Sequence, residues 1–250
     1  MKLALLSDIH SNLHALEACL DHARAQGAQR FAFLGDLVGY GAHPGAVVDR
    51  IMLLTEEGAL VLKGNHDQGA VHPPVTPQNL GDSSAAWTHA QLSSAQRTWL
   101  DQLPLTAQVG SALLVHASVN EPAMWRYVSD TRSATASLDA AQQFNAVRYV
   151  FGGHVHAQTL YYRGSESALM PFTPQSGVAI PVPKHRQWLA TVGSVGQPRD
   201  GNPQAMYTLF DPDRAQLTFH RVRYDNAGAA AAIRATALPE YFAQRLETGR

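Results

Sequence analysis

The sequence has a single cysteine and no long hydrophobic run. Because Cys19 is the only cysteine, a framework of disulfide bonds within the chain is excluded. Cys19 shares a helical spacing with Leu16 and Leu20, which predicts a small buried residue rather than a reactive thiol. No stretch approaches the roughly 18 uncharged apolar residues of a membrane span, so no membrane partner is expected. The first segment reaches Asp8 too early for a signal peptide, and we expect a cytoplasmic location.

The chain also lacks a charge excess of either sign. Lys and Arg number 19 and Asp and Glu number 20, a formal net charge of −1, so the composition does not favour nucleic acid as a partner. Hydrophobic residues at 45% and charged residues at 16% are typical of a globular protein with a substantial core. We find no linker and expect one domain over residues 1–250, with a helical C-terminal tail at about 227–250. Assembly into a homo-oligomer stays open.

The first 160 residues alternate between short apolar runs and polar clusters. Five runs have the length and composition of buried strands. They are residues 2–7, 30–34, 59–62, 112–115 and 148–151. A helical pattern begins after Asn12, a candidate N-cap, and ends near Gly27, so the first two strands and this helix form a β-α-β unit.

Other segments are predicted in less detail. Further helices are expected over residues 46–57, 83–89, 93–101 and 137–145. The proline-rich segment 163–186 is expected to be a long surface segment or a bent hairpin. Residues 188–197, 205–211 and 216–225 alternate apolar and polar side chains, which predicts antiparallel strands.

A polar cluster rich in glycine or histidine follows each predicted strand of the first 160 residues. The clusters supply eight residues that can bind a metal or move a proton: Asp8, His10, Asp36, Asn65, His66, His116, His154 and His156. Because the carboxyl ends of parallel strands share one edge of a sheet, we expect these five segments to converge. Imidazole and carboxylate suit Mn, Fe, Zn or Ni. The sequence therefore predicts a site for two divalent metal ions, an arrangement that suits phosphoryl transfer.

The order of these clusters resembles a known family. The motifs D-x-H (8–10), G-D (35–36), G-N-H-D (64–67), a histidine (116) and G-H-x-H (153–156) are similar to those of the calcineurin-like metallophosphoesterase superfamily, in its bacterial single-domain phosphodiesterase-like branch. The segments GDLVGYG and GSVGQPRDGNP extend the resemblance over nearly the whole chain. It implies a four-layer α/β/β/α sandwich, in which helices flank two mixed β-sheets.

The resemblance also implies a role for each motif residue. One metal ion would be held by Asp8, His10, Asp36 and His156, and the second by Asp36, Asn65, His116 and His154, with Asp36 bridging. His66 would be the catalytic histidine and Asp67 the carboxylate that orients it. The implied enzyme is a dinuclear-metal phosphoesterase that hydrolyses phosphodiesters or phosphomonoesters by attack of a metal-bound hydroxide. Its expected partners are small phosphate esters, including nucleotides such as cyclic nucleotides or dinucleoside polyphosphates.

Five further residues are candidates for substrate binding: Asn12, Tyr40, Trp125, Arg126 and Arg199. Trp125, Arg126 and Tyr127 place aromatic rings beside a cation, which suits a nucleobase next to a phosphate, although packing in a lid or core explains them equally well. Arg199 lies in a glycine-rich loop that suits phosphate. Asn12 is also explained as a helix cap alone, and Tyr40 as a packed residue.

The main alternative is a non-catalytic metal-binding scaffold or interaction protein with the same fold. Such a protein would have lost the catalytic histidine or several ligands, whereas this chain has His66 and all seven candidate ligands. A nuclease is a third hypothesis, which the neutral charge balance disfavours.

Overall fold

The computed structural model describes residues 1–164 and 169–250, and twelve strands within these ranges form two mixed sheets. The first sheet contains β1 (Leu3–Leu6), β2 (Arg30–Phe33), β3 (Leu60–Val61), β9 (Ala179–Pro181), β11 (Ala205–Asp211) and β12 (Gln216–Val222). The second contains β4 (Thr106–Val109), β5 (Ala112–Val115), β6 (Tyr149–Gly152), β7 (Gln158–Arg163), β8 (Leu169–Phe172) and β10 (Trp188–Val192). Their orders are β3-β2-β1-β11-β12-β9 and β4-β5-β6-β10-β7-β8.

Eight helices connect these strands in the described ranges. They are α1 (Leu13–Ala25), α2 (Pro44–Glu56), α3 (Asn65–Val71), α4 (Leu80–Gln91), α5 (Ser94–Asp101), α6 (Thr131–Ala140), α7 (Asn226–Arg234) and α8 (Glu240–Thr248). Asn12 caps α1 by accepting a hydrogen bond from the backbone N–H of Ala15 at 3.1 Å, as its position before the apolar stripe predicts. No helix among the described residues is long and apolar enough to cross a membrane.

The alternation of β1 shows why the protein forms layers. Successive side chains of a strand point to opposite faces. Leu3 and Leu5 contribute to the core between the two sheets, whereas Ala4 and Leu6 pack with α1 and α2 on the other face. The second sheet is covered on its outer face by α6. The four-layer sandwich of two mixed sheets flanked by helices is therefore confirmed.

The five predicted apolar runs are all strands, but they do not belong to one sheet. β1, β2 and β3 lie parallel in the first sheet, and β5 and β6 lie parallel in the second. The polar clusters consequently approach one another from two facing sheets rather than along a single sheet edge.

Two predictions in the second half need correction. The segment 163–186 lies largely at the surface, as one alternative predicted, but it is not one hairpin, because β8 pairs with β7 in the second sheet whereas β9 pairs with β12 in the first. Residues 165–168 of that segment lie outside the described residues. β10 was expected to be antiparallel, and it is so toward β7 but parallel to β6. Local alternation identifies a strand without identifying its neighbours.

Helix limits differ from the predictions where the chain caps itself. α6 begins at Thr131 rather than near 137, because the Asp130 carboxylate accepts the backbone N–H of Ser133 at 2.7 Å. α4 begins at Leu80, because Asn79 caps it in the same way. α3 was not predicted, since its first residues belong to the polar G-N-H-D cluster.

The last 25 residues form α7 and α8, which share an apolar cluster built on Ile233, Phe242 and Leu246. Tyr40 and Trp87 pack against this cluster. Since Tyr40 follows the glycine-aspartate motif after β2, α8 lies close to the loops that carry the polar clusters.

Candidate metal centre

Two groups of buried metal-ligating side chains lie next to each other where the loops of the two sheets meet. One group is Asp8, His10 and His156, and the other is Asp36, His116 and His154. Within each group the ligand atoms all lie within 4.8 Å of one another. His10 Nε2 is 3.9 Å from Asp36 Oδ2, so the two groups adjoin at Asp36. All six residues are at most 6% exposed.

The backbone under these ligands is strained. Asp8, His10, Asp36, His154 and His156 all have positive φ angles, between 48° and 67°. This left-handed conformation is unfavourable for residues with a Cβ and costs on the order of 1–3 kcal/mol each. Hydrogen bonds between loops hold it in place, such as the backbone N–H of His10 donating to Asp36 O at 3.0 Å. Strain of this kind concentrates where a fold fixes functional side chains.

Three histidines are oriented by backbone carbonyls. Their Nδ1 atoms contact Val38 O at 3.2 Å from His10, Leu34 O at 2.8 Å from His116, and Gln197 O at 2.6 Å from His156. A ring whose Nδ1–H donates to a carbonyl keeps the lone pair of Nε2 free. The three Nε2 atoms therefore face the centre as potential ligands, in the orientation that outer hydrogen bonds impose on metal-binding histidines.

The electrostatic environment of the centre favours the protonation states in which its side chains bind cations. Burial raises the pKa of Asp36, but His116 and His66 outweigh it and hold that pKa well below its usual range. For Asp8, burial is likewise outweighed, chiefly by His156, and the pKa is lowered. Burial lowers the pKa of His154 to about 4. Two carboxylates and a neutral imidazole are thus available at neutral pH, the forms in which these side chains bind metals.

His116 is the exception among the imidazoles. Burial lowers its pKa, but Asp36 overcomes this and raises it to about 9; His116 Nε2 lies 3.3 Å from Asp36 Oδ2. A metal ion held by His116 Nε2 would have to displace the proton that this raised pKa favours.

Two buried polar atoms of the centre have no hydrogen-bond partner within the described ranges: Asp8 Oδ1 and His154 Nε2. Asp8 Oδ1 faces His156 Nε2 at 3.2 Å without the geometry of a hydrogen bond. Leaving such an atom unpaired costs about 1–3 kcal/mol. A cation would satisfy both atoms, and the mixture of imidazole and carboxylate suits Mn, Fe, Zn or Ni. The residues present therefore fit a pair of divalent ions.

Asn65 lies at the edge of the second group. Its Oδ1 is 3.3 Å from His116 Nε2, and it begins α3 directly after Gly64. A Cβ at Gly64 would collide with the backbone nitrogen and carboxylate of Asp36. Glycine at this position lets the first turn of α3 approach the Asp36 loop closely enough to bring in the amide oxygen.

His66 is half-buried beside the first group. Its backbone N–H donates to Asp36 Oδ1 at 2.8 Å. Its ring lies 4.4 Å from the Tyr40 ring and 5.1 Å from the His10 ring, measured between centroids. The ring of the candidate catalytic histidine therefore packs directly against the ring of His10, a candidate metal ligand.

The resemblance implies that Asp67 orients His66, but within the described residues the hydrogen bonds of its carboxylate go to the backbone rather than to the His66 ring. Its buried carboxylate accepts backbone N–H groups from Leu37 at 2.8 Å, Val38 at 3.1 Å and Gly64 at 2.8 Å. Burial and the nearby Asp36 raise its pKa to about 7, while the N–H groups of Gly64 and Val38 act in the opposite direction. In the described ranges Asp67 thus fastens the loop after β2 to the start of α3, the helix that carries His66.

Three of the five substrate-binding candidates lie at the centre. Tyr40 contacts the rings of His10 and His66. Trp125 lies edge-on to His116, with centroids 5.8 Å apart. The Arg199 guanidinium carbon lies 5.9 Å from the centre of the Tyr40 ring.

The other two candidates are engaged elsewhere. The Asn12 side chain is buried, accepts from Ala15 as the cap of α1, and donates to Gly196 O at 2.9 Å. Arg126 is exposed and pairs with Glu121 at 2.7 Å. The helix cap therefore accounts for Asn12, and Arg126 belongs to a surface ion pair.

Tyr127, rather than Arg126, faces the centre. Its ring stacks on His154 with centroids 4.0 Å apart and 56% of the residue exposed. In the sequence, the run of Trp125, Arg126 and Tyr127 indicated aromatic rings at the edge of the site. The left-handed backbone at Trp125 turns the chain in a way that spacing alone does not reveal.

Comparison with known proteins extends these observations. Residues 1–215 match the family model described as the calcineurin-like phosphoesterase superfamily domain. The chain is 31% identical over 254 residues to an uncharacterized protein of Methanocaldococcus jannaschii, covering 99% of this chain and 98% of the relative. The crystal structure of a metallophosphoesterase from Sphaerobacter thermophilus is similar, with a TM-score of 0.88, 33% identity, and coverage of 100% of this chain and 99% of that one. A hypothetical protein from Pyrococcus horikoshii has the same fold, with a TM-score of 0.76, 19% identity, and coverage of 100% and 98%.

Proposed function

The chain belongs to the calcineurin-like phosphoesterase superfamily, and on that premise we propose that it hydrolyses small phosphate esters with two divalent metal ions. The observation that carries the proposal is the pair of buried groups adjoining at Asp36, with ligand atoms that lack partners within the described residues. Unpaired buried ligand atoms and a strained backbone both destabilise the folded protein, and a pair of bound cations would compensate for this loss of stability.

We assign one ion to Asp8, His10 and His156 and the other to Asn65, His116 and His154, with Asp36 between them. The position of Asp36 supports this assignment, because one of its oxygens lies 3.3 Å from His116 Nε2 and 3.9 Å from His10 Nε2. When bound, such ions supply a water of lowered pKa as the nucleophile and positive charge for the phosphoryl oxygens.

His66 is the residue we assign to the reacting phosphate. Its half-buried ring lies beside His10, and its main chain is fixed by Asp36. From there an imidazole N–H can donate to a phosphoryl oxygen as negative charge develops, or pass a proton to the leaving oxygen. Asp67 acts as a positioning residue, because it holds the start of α3 against the Asp36 loop.

The aromatic edge supports a substrate with a flat group next to the phosphate. Tyr127 stacks on His154 while more than half of it is exposed, and Trp125 flanks His116. An aryl ester or a nucleobase could stack on these rings with its phosphate at the second group. Nucleotides, including cyclic nucleotides and dinucleoside polyphosphates, are therefore the substrate class to test first, as monoesters and diesters.

The experiment is a hydrolysis screen on protein reconstituted with Mn, Fe, Zn or Ni, each compared with a chelator control. The substrates are an aryl phosphomonoester, an aryl phosphodiester, a cyclic nucleotide and a dinucleoside polyphosphate. We expect metal-dependent turnover of at least one class, and its loss in His116→Ala but not in the control His72→Ala, whose side chain is 65% exposed. Two bound ions without turnover of any ester would favour the metal-binding scaffold.

A further inference from the structure

We propose that Arg199 and Arg245 form a second anion-binding site beside the metal centre, which holds a further phosphate group of the same substrate. In linking this site to a substrate, the proposal rests on the proposed function. It narrows the substrate class to compounds with two or more linked phosphates, such as nucleoside diphosphates, nucleoside triphosphates or dinucleoside polyphosphates.

Arg199 is fixed relative to the metal-ligand loops. It is half-buried, with its guanidinium against the Tyr40 ring and two of its nitrogens donating to Gln197 Oε1 at 3.2 and 2.9 Å. The segment before it is bound to the first ligand loop, because the Gly196 N–H donates to Asp8 O at 2.9 Å. The peptide oxygen of Gln197 also orients His156. A cation held this firmly loses little conformational freedom when an anion binds.

Arg245 belongs to α8, which comes from the far end of the sequence and packs against the same Tyr40 ring that Arg199 faces. Phe242, one turn earlier, packs against Tyr40 with centroids 4.9 Å apart. The end of α8 is tied to the loop that follows Arg199, because the Gly201 N–H donates to Gly249 O at 2.8 Å. The Arg245 guanidinium lies 5.2 Å from the centre of the Tyr241 ring.

The two guanidinium groups are only partly engaged: Arg199 donates to Gln197 Oε1, and the Nε of Arg245 donates to the backbone oxygen of Arg250. Burial and the charge of Arg199 lower the pKa of Arg245. No Asp or Glu side chain in residues 1–164 or 169–250 forms an ion pair with either group, whereas Arg234, in the neighbouring helix α7, pairs with Glu240 and Glu247. Two half-buried cations that repel each other are stabilised by an anion between them, and guanidinium groups bind phosphate oxygens in pairs.

The position of Arg245 in the sequence indicates a role in substrate specificity rather than in the metal-dependent reaction shared by the family. The family model matches residues 1–215, and every candidate metal ligand precedes residue 157. Arg245 comes from the helix pair beyond the matched region, which supplies none of the candidate metal ligands.

The test measures binding by calorimetry with metal-free protein in chelator, using inorganic tripolyphosphate and inorganic phosphate as probes. We expect the wild type to bind tripolyphosphate about tenfold or more tightly than phosphate, and Arg245→Gln and Arg199→Gln each to weaken tripolyphosphate binding about tenfold. The matched control Arg214→Gln removes the same charge from a side chain that is 74% exposed and should bind as the wild type does.

Two results would overturn the proposal. One is the same tripolyphosphate affinity in Arg245→Gln and Arg214→Gln, and the other is a wild type that binds both probes equally, an outcome that requires no variant to fold. Arg245→Lys, which keeps the charge but not the planar fork, should bind with intermediate affinity.

Failure of this proposal is distinguishable from failure of the proposed function. Turnover of an aryl phosphodiester by the metal-loaded wild type tests the function, because that substrate has a single phosphate. Binding in chelator tests the arginine pair, so each result stands without the other.

Discussion

Replacing Asp67 with alanine distinguishes its two possible roles. The buried carboxylate accepts three backbone N–H groups, from Leu37, Val38 and Gly64. Each unpaired buried donor lowers the free energy of unfolding by about 1–3 kcal/mol. Because water partly reaches the three N–H groups in the variant, we expect a total loss of about 3 kcal/mol. For a chain of this length, 1 kcal/mol corresponds to about 2–4 °C in Tm. We therefore expect Asp67→Ala to lower the Tm of the metal-free protein by about 6–12 °C.

The assay is thermal unfolding at pH 7 followed by circular dichroism, with the protein in chelator so that metal binding does not contribute. Asp139→Asn is the matched control, because it removes a carboxylate that is 54% exposed and paired with Arg163; it should cost less than about 1 kcal/mol. An unchanged Tm in Asp67→Ala, together with a loss of turnover in the metal-loaded protein, would refute the fastening role and restore direct orientation of His66.

Three further outcomes follow from the centre and the core. Asp36→Asn should lower the metal content below that of the wild type, because the residue between the two groups loses its charge; full occupancy by elemental analysis would contradict its place there. His66→Ala should retain its metal and lose about 10²–10⁴-fold in kcat, so an unchanged kcat would remove His66 from the reaction. Burial lowers the pKa of His220 to about 4, below the value near 6.5 of an unfolded chain, so folding stability should fall as the pH falls from about 6.5 toward 4. His220→Gln should flatten that part of the stability profile, and the same slope in both proteins would show that His220 does not contribute.

The sequence predicted most of the elements because buried strands and amphipathic helices have distinct periods. The alternation of Leu3 and Leu5 with Ala4 and Leu6 is visible in the sequence and corresponds to two different cores. What it does not specify is strand pairing, which is why the segment 163–186 divides between two sheets.

The candidate ligands could be found from the sequence because each follows a strand, where the chain turns and polar groups collect. Their neighbours were harder to predict, because they depend on contacts between distant segments. Asp67 follows His66 directly, yet its carboxylate turns to the loop after β2. Arg245 belongs to no motif of the sequence, and contacts between distant segments, such as the packing of Phe242 on Tyr40, bring α8 to the centre.

We propose that the two buried groups hold two metal ions that are needed for ester hydrolysis. The most direct test of this proposal is elemental analysis of the wild type before and after chelation, combined with hydrolysis of an aryl phosphodiester on the same samples. We predict two divalent ions per chain, loss of turnover with chelator, and recovery when metal is returned. Turnover that survives complete removal of the metal, or two bound ions with no ester hydrolysed, would contradict this role of the two groups.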